Sequence, residues 1–412
     1  MSPYAAAHAA FPRESFSLKH SDIPLSSPDI SSEDRERVLE ILSGRTLSLG
    51  PVLPAFEEAV AHAAGTQFAV AVNSGTSALH LCIKAAGIGE GDEVVTTPFS
   101  FVASANCALY ERAIPRFVDI DIETYNIDPA LISGAVNHNT RAILPVHVFG
   151  RPCDMHAIGN LAQRHGLKII EDSCEAIGAT YDGRKIGSFG HSGAFAFYPN
   201  KQITTGEGGA IVTNDETVAR LCRSWRNQGR GEGSAWLQHE RLGYNYRISD
   251  INCGLGLGQV TRLQDILQMR KNVAEAYNEV LASHSAVITP PPGTEQREVS
   301  WFVYVVRLQP EFTREDRDQV LDAMRAEGIG CSNYFAPLHL QEFYREMFGF
   351  RRGDFPVTEH VSDRTIALPF FNTLTLDQIE TVADSLRRAI GGLKKGLVLV
   401  PELRQAAGSG RG

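Results

Sequence analysis

Five short apolar runs rich in β-branched residues punctuate residues 68–199, each separated from the next by enough chain for a turn or a helix. They are FAVAV (68–72), DEVVTT (92–97), RAILPVHV (141–148), LKIIED (167–172) and GAFAFYP (193–199). A run that is apolar at successive positions has no face to show to water, so it lies in a sheet covered on both sides. Strands linked by helical segments pair in parallel. The pattern predicts an α/β protein with a mainly parallel mixed sheet flanked by helices, and it excludes collagen and coiled coil.

At 412 residues the chain exceeds one ordinary domain, and 43% hydrophobic against 21% charged residues permits a full core. We expect a flexible arm over 1–25, a large domain over 26–265, a smaller C-terminal α+β domain over 266–395 and a tail over 396–412. The arm is small, polar and proline-spotted. Behind it, Ser31 with Asp34 three residues on forms a capping box, and Val38, Leu39, Ile41 and Leu42 make an apolar stripe closed by Gly44. From 254 the pattern is one long helical stretch, then a PPPG turn, a strand-like run at 299–308, a helical stretch at 314–327, a segment at 364–369 and a final helix at 376–392.

Thirty-nine Lys and Arg against 48 Asp and Glu leave a net charge of 39 − 48 = −9, which repels phosphate backbones, so nucleic acid is not expected as a partner. The seven cysteines are scattered without a CxxC pair. Neither a disulfide framework nor a thiolate metal site is expected, and a reducing, cytoplasmic setting fits. The N-terminal residues lack the apolar core of a signal peptide, and no run approaches the ~20 apolar residues of a membrane span.

Three constellations carry chemistry. After 68–72 the chain turns through Asn73-Ser74-Gly75-Thr76-Ser77 into an apolar-striped helix, offering bare backbone N–H groups, hydroxyls and a helix N-terminus to an anion; the same letters also serve an ordinary N-cap. The run 167–172 ends in Glu171 and Asp172, and a carboxylate at a strand's carboxyl end faces the crevice where open parallel sheets bind ligands. After 193–199 come Asn200 and Lys201, then the turn Gly206-Glu207-Gly208-Gly209. A lysine confined in a crevice shifts toward the neutral amine that attacks carbonyls. Phosphate cup, strand-end aspartate and lysine, in that order, are the three features that pyridoxal 5′-phosphate requires. Phe101 follows a strand end and can stack on a pyridine ring, with Phe99 competing for that place.

These motifs resemble the DegT/DnrJ/EryC1/StrS sugar aminotransferases, of the aspartate-aminotransferase-like fold type I. They are NSGTSAL (73–79), TTPFSFVASAN (96–106), EDSCEAIGA (171–179), FAFYPNKQITTGEGG (195–209), RNQGR (226–230) and LGYNYRISDINCGLGLGQ (242–259). The resemblance spans residues 25–390. It implies Lys201 as the aldimine lysine, Asp172 as the partner of the pyridine nitrogen, Thr76 and Ser77 with Gly75 as the phosphate turn, and Phe101 as the stacking aromatic. It further implies that Asn245 reaches the phosphate from a neighbouring subunit, which means a homodimer with shared sites, and that Arg247 meets the amino donor's carboxylate. Glu175 stands where relatives commonly carry Gln or His near the cofactor or substrate. Many relatives have a phosphate-binding serine where this chain has Ala196.

The function implied is transfer of an amino group from an amino acid, usually L-glutamate, to a keto sugar on a nucleoside diphosphate. Lys201 separates this activity from the branch of the family that carries histidine there and dehydrates. An acceptor without a nucleotide, such as a cyclitol ketone, and a non-catalytic cofactor-binding sensor stay open. Tyr334 and His339 are candidate substrate contacts, His339 being equally readable as a packed histidine, and His147 reads as structural. Arg226, Arg230 and Arg241 form a basic cluster that suits a diphosphate or surface ion pairs.

Overall fold

The computed structural model describes residues 22–405 apart from 232, 234, 236 and 237, with side chains to residue 393. Its main sheet contains β1 (Phe68–Val72), β2 (Glu93–Thr96), β3 (Ile114–Phe117), β4 (Thr140–Ile143) and β5 (Lys168–Asp172). A small ribbon follows, β6 (Thr180–Tyr181) with β7 (Arg184–Lys185), and the sheet is completed by β8 (Ser192–Ala196) and β9 (Gly209–Thr213). The order is β1-β9-β8-β5-β4-β2-β3. Within this sheet only β9 runs against its neighbours. All five anticipated runs form strands. The edge strand β3 carries Pro115, which the sheet tolerates because an edge leaves N–H positions unpaired. The third run is expected to extend to 148, but β4 stops at Ile143, two residues before Pro145.

The smaller unit contains β10 (Val287–Ile288), β11 (Arg297–Glu298), β12 (Tyr304–Leu308) and β13 (Thr365–Leu368), with β10, β12 and β13 forming an antiparallel sheet and β11 joining the β6–β7 ribbon. Expectations differ from the structure here in several ways. The helical stretch from 254 is two helices, Asp250–Thr261 and Leu263–Leu281, broken at Arg262. The second straddles the expected boundary at 265: Leu263 and Ile266 pack in the large core, while Val273, Ala274, Tyr277 and Leu281 pack in the small one. Residues 22–25 are not free arm. Ile23 is buried and pairs with Ile329, and the Leu25 carbonyl accepts from Phe370 N–H; residues 1–21 lie outside the described residues. The last helix runs from Leu376 to Gln405, well into the expected tail, of which 406–412 lie outside the description.

The strand anticipated from 299 begins only at Tyr304 because the preceding residues strap the two units together. Trp301 packs in the small core and Phe302 in the large one. Arg270, almost wholly buried, donates to the Trp301 and Phe302 carbonyls at 2.7 Å and to Asn372 Oδ1 at 2.9 Å. Burial pushes its guanidinium down to about 9. Arg270→Met keeps the aliphatic stem and strands these acceptors, so urea denaturation is expected to show a loss of ~2 kcal/mol or more.

Candidate active site

The site forms where β1, β5 and β8 end. Ser74 caps the helix Gly75–Ala85, its Oγ accepting from Ser77 N–H at 3.1 Å, while Ser77 Oγ donates to Asn73 Oδ1 at 2.7 Å. Glycine is required for this turn to lie against the sheet. A Cβ at Gly75 would stand 2.6 Å from the Ala196 Cβ, and one at Gly209 would stand 2.7 Å from Gly75 N. Thr76 is half-buried beside this cup. The helix behind the cup concentrates unpaired N–H groups and the positive dipole end there.

Asp172 is the last residue of β5 and is nearly buried. Its Oδ1 accepts from Cys174 N–H at 3.1 Å, and its Oδ2 from Ser104 Oγ at 2.6 Å, with Ser100 Oγ 2.6 Å further on. Glu171 alternates to the other face of the sheet and is fully buried, accepting from the N–H groups of Gly187, Phe189 and Gly190. His147 Nδ1 accepts from Cys153 N–H, so its Nε2 carries the proton toward Glu171 at 3.3 Å: a structural pair.

Lys201 follows β8 in a turn in which its N–H donates to the Tyr198 carbonyl. Its Nζ lies 3.9 Å from the centre of the Phe302 ring and 3.6 Å from Glu175 Oε1. The neighbouring Gln202 donates to the Glu175 carbonyl at 2.6 Å and to the Ser300 carbonyl at 3.0 Å, which fixes the turn to two other segments. Phe101 precedes the helix Ala103–Tyr110 and is 61% exposed, whereas Phe99 is 0% exposed and packs edge-on to Phe335 and Phe149.

Phe99 is therefore core, and of the two phenylalanines only Phe101 presents its ring to solvent. Tyr334 is half-buried beside this cluster, its ring parallel to Phe335 at 5.1 Å. His339 is set apart from it, against the expectation of a substrate contact. Its side chain is fully buried, with Nε2 2.9 Å from Glu359 Oε1 and its ring edge-on to Phe355, so it shows no surface to a substrate. Burial lowers its proton affinity. Asn245 is exposed, and its carbonyl lies 3.4 Å from Asn73 Nδ2 at the cup of its own chain. Arg247 donates to Asn227 Oδ1 at 3.2 Å. Of the basic cluster, Arg226 is buried and bound to Glu57, and Arg241 bonds Ser224 and Glu240. Together with Arg220, Arg223 and Arg230 they line a cavity of about 290 Å³.

Sequence reasoning missed Ser104, Gln202 and Phe302. Ser104 lies within the quoted motif 96–106, but its reach to Asp172 crosses 68 residues of sequence. The donor set fits pyridoxal phosphate: a helix N-terminus with hydroxyls for the phosphate, a buried carboxylate for the ring nitrogen and a lysine amine. Among the described residues, no group of three or more His, Cys, Asp or Glu side chains is arranged to hold a metal ion, and no helix is long and apolar enough to cross a membrane.

A mixed sheet whose strand ends gather these groups defines a fold type I transferase of the pyridoxal-phosphate class. The chain belongs to the DegT/DnrJ/EryC1/StrS aminotransferase family, whose model matches residues 28–387, and it is a transaminase. It is 37% identical to the spore coat polysaccharide biosynthesis protein SpsC of Bacillus subtilis, over 90% of this chain and 97% of that protein. It is also 37% identical to the GDP-perosamine synthase of Caulobacter vibrioides, over 90% of this chain and 100% of that protein. Among solved structures, Helicobacter pylori PseC, an aminotransferase involved in the biosynthesis of pseudoaminic acid, superimposes with a TM-score of 0.85 at 27% identity, covering 90% of this chain and 100% of that chain.

Removing the Ser104 hydroxyl leaves Asp172 Oδ2 without its buried donor. Ser104→Ala is expected to raise the cofactor dissociation constant about tenfold, or ~1.4 kcal/mol, in a titration of the apoprotein, and Ser104→Thr to restore it.

Proposed function

We propose that this transaminase moves an amino group from an amino acid, L-glutamate by family resemblance, to a keto sugar carried on a nucleoside diphosphate. The observation that carries the reading is the placement of Lys201, Asp172 and the Gly75 cup after the carboxyl ends of β8, β5 and β1, at one end of the sheet. Pyridoxal phosphate, bound through Lys201, would supply an electron sink for the charge left when a proton leaves the donor's Cα. The protein's own groups do the rest. The cup and its helix N-terminus hold the phosphate, Asp172 keeps the ring nitrogen protonated, and Phe101 covers one ring face. The Lys201 amine, once free, takes the proton from the donor's Cα and later returns one to the acceptor's carbon. Arg247 is assigned to the donor's carboxylate and Tyr334 to the acceptor side.

The family resemblance supports a homodimer in which Asn245 completes the partner's phosphate site. The exposed Asn245 is consistent with that, as are the exposed Leu47, Leu49 and Leu242. Seven unpaired cysteines favour a reducing, cytoplasmic compartment.

The test is to load the protein with pyridoxamine phosphate and offer a panel of keto sugar nucleotides, following the return of the long-wavelength cofactor absorption. A response to a cyclitol ketone and to no sugar nucleotide would replace the acceptor assigned here. Lys201→Ala is expected to abolish transfer while leaving the circular dichroism spectrum unchanged, and retained turnover would contradict the role given to Lys201.

A further inference from the structure

Glu175 is 6% exposed, yet its carboxylate is held in place from two sides. Oε2 accepts from Phe149 N–H at 2.9 Å, and Oε1 lies 3.6 Å from Lys201 Nζ. The donor is presented by unusual backbone: Phe149 has φ +56°, in the left-handed region that a non-glycine residue seldom adopts, and Gly150 follows at +83°. Strain at that position is maintained by the surrounding structure, including the Gly150 carbonyl, which accepts from Ser300 N–H. On its other side, the Lys201 amine faces the Phe302 ring at 3.9 Å, where the ring's negative face attracts a cation.

We propose that Glu175 is a catalytic residue that sets the charge of Lys201 whenever its amine is not bound to the cofactor, holding it as ammonium and accepting its surplus proton when a neutral amine is needed. The proposal rests on Lys201 being the residue that binds the cofactor. The step balances within the cavity: one proton passes from Lys201 Nζ to Glu175 Oε1, an ammonium and a carboxylate become an amine and a carboxylic acid, and no net charge enters or leaves. Burial raises the proton affinity of Glu175, while Lys201 and the Phe149 N–H oppose that rise. The other titratable groups facing the pair are Asp172 and Cys174 from β5 and its following turn, and Tyr334 from the small domain.

Capture of pyridoxal 5′-phosphate by the full-length apoprotein requires a neutral Lys201, so its rate against pH between about 6 and 10 reads the charge of that amine. Glu175→Gln removes the counter-charge and is expected to lower the midpoint of the rate profile by about one to three pH units, with capture near neutrality at least tenfold faster. Glu175→Asp withdraws the carboxylate by one methylene and is expected to give an intermediate midpoint, which decides the matter if the glutamine variant fails to fold. A purely structural role would alter thermal stability and leave the midpoint in place. Coincident midpoints in wild type and both variants would overturn the proposal. Borohydride reduction and peptide mapping separate this from failure of the functional reading: label on Lys201 with coincident midpoints removes only the role of Glu175, whereas label on another residue removes both.

Discussion

At the carboxyl ends of β1 and β8 and the start of β9, backbone meets backbone with almost no side chain between. Gly75 lies against Ala196, and Gly209 lies against Ser74 and Gly75, each so close that a methyl group could not be inserted without displacing main chain or a neighbouring strand. The consequence is that the N-terminus of the helix Gly75–Ala85 is seated on the sheet itself, within reach of whatever Asp172 and Lys201 bind. Every other feature of the site depends on this contact, because a helix standing one side chain further out would aim its dipole and hydroxyls past the crevice.

Three acidic side chains, Glu171, Asp172 and Glu175, fall close together in the chain, and the fold treats each differently. Glu171 faces away from the site and is satisfied by three backbone N–H groups and His147, so it ties the loop 187–190 to the sheet. Asp172 faces inward, and a hydroxyl and one N–H hold it oriented toward the crevice. Glu175 has a single N–H and a lysine amine, so its counter-charge comes from a side chain. A buried carboxylate is costly unless bonded, so the number and kind of donors around each one defines its task.

The two structural units are held together where the site needs rigidity. The helix Leu263–Leu281 contributes to both cores, and Arg270 on it grips the strap whose residue Phe302 lies beneath Lys201. Gln202 reaches the same strap from the lysine's own turn. The amine thereby meets Glu175, from the turn after β5, and Phe302, from a strap that the helix holds in place, segments far apart in sequence.

Local pattern determined a good deal. Apolar runs with no polar face specify buried strands, and a strand followed by Asn-Ser-Gly-Thr-Ser specifies a helix start, because both follow from backbone chemistry acting over a few residues. The family motifs carried Lys201, Asp172 and the cup as a set. Tertiary structure alone decided what lies opposite those residues. Phe99 and Phe101 are the same letter two positions apart, yet one is sealed in the core and the other is open, since the turn before the helix Ala103–Tyr110 directs them oppositely. His339 reads equally well as a ligand contact or a packed ring until Glu359 and Phe355 are seen around it. The Ser104 hydroxyl reaches Asp172 across 68 residues of chain, and the Phe302 ring under Lys201 comes from the strap between the two units. Such contacts are set by how the chain closes on itself, and no local pattern of residues encodes them.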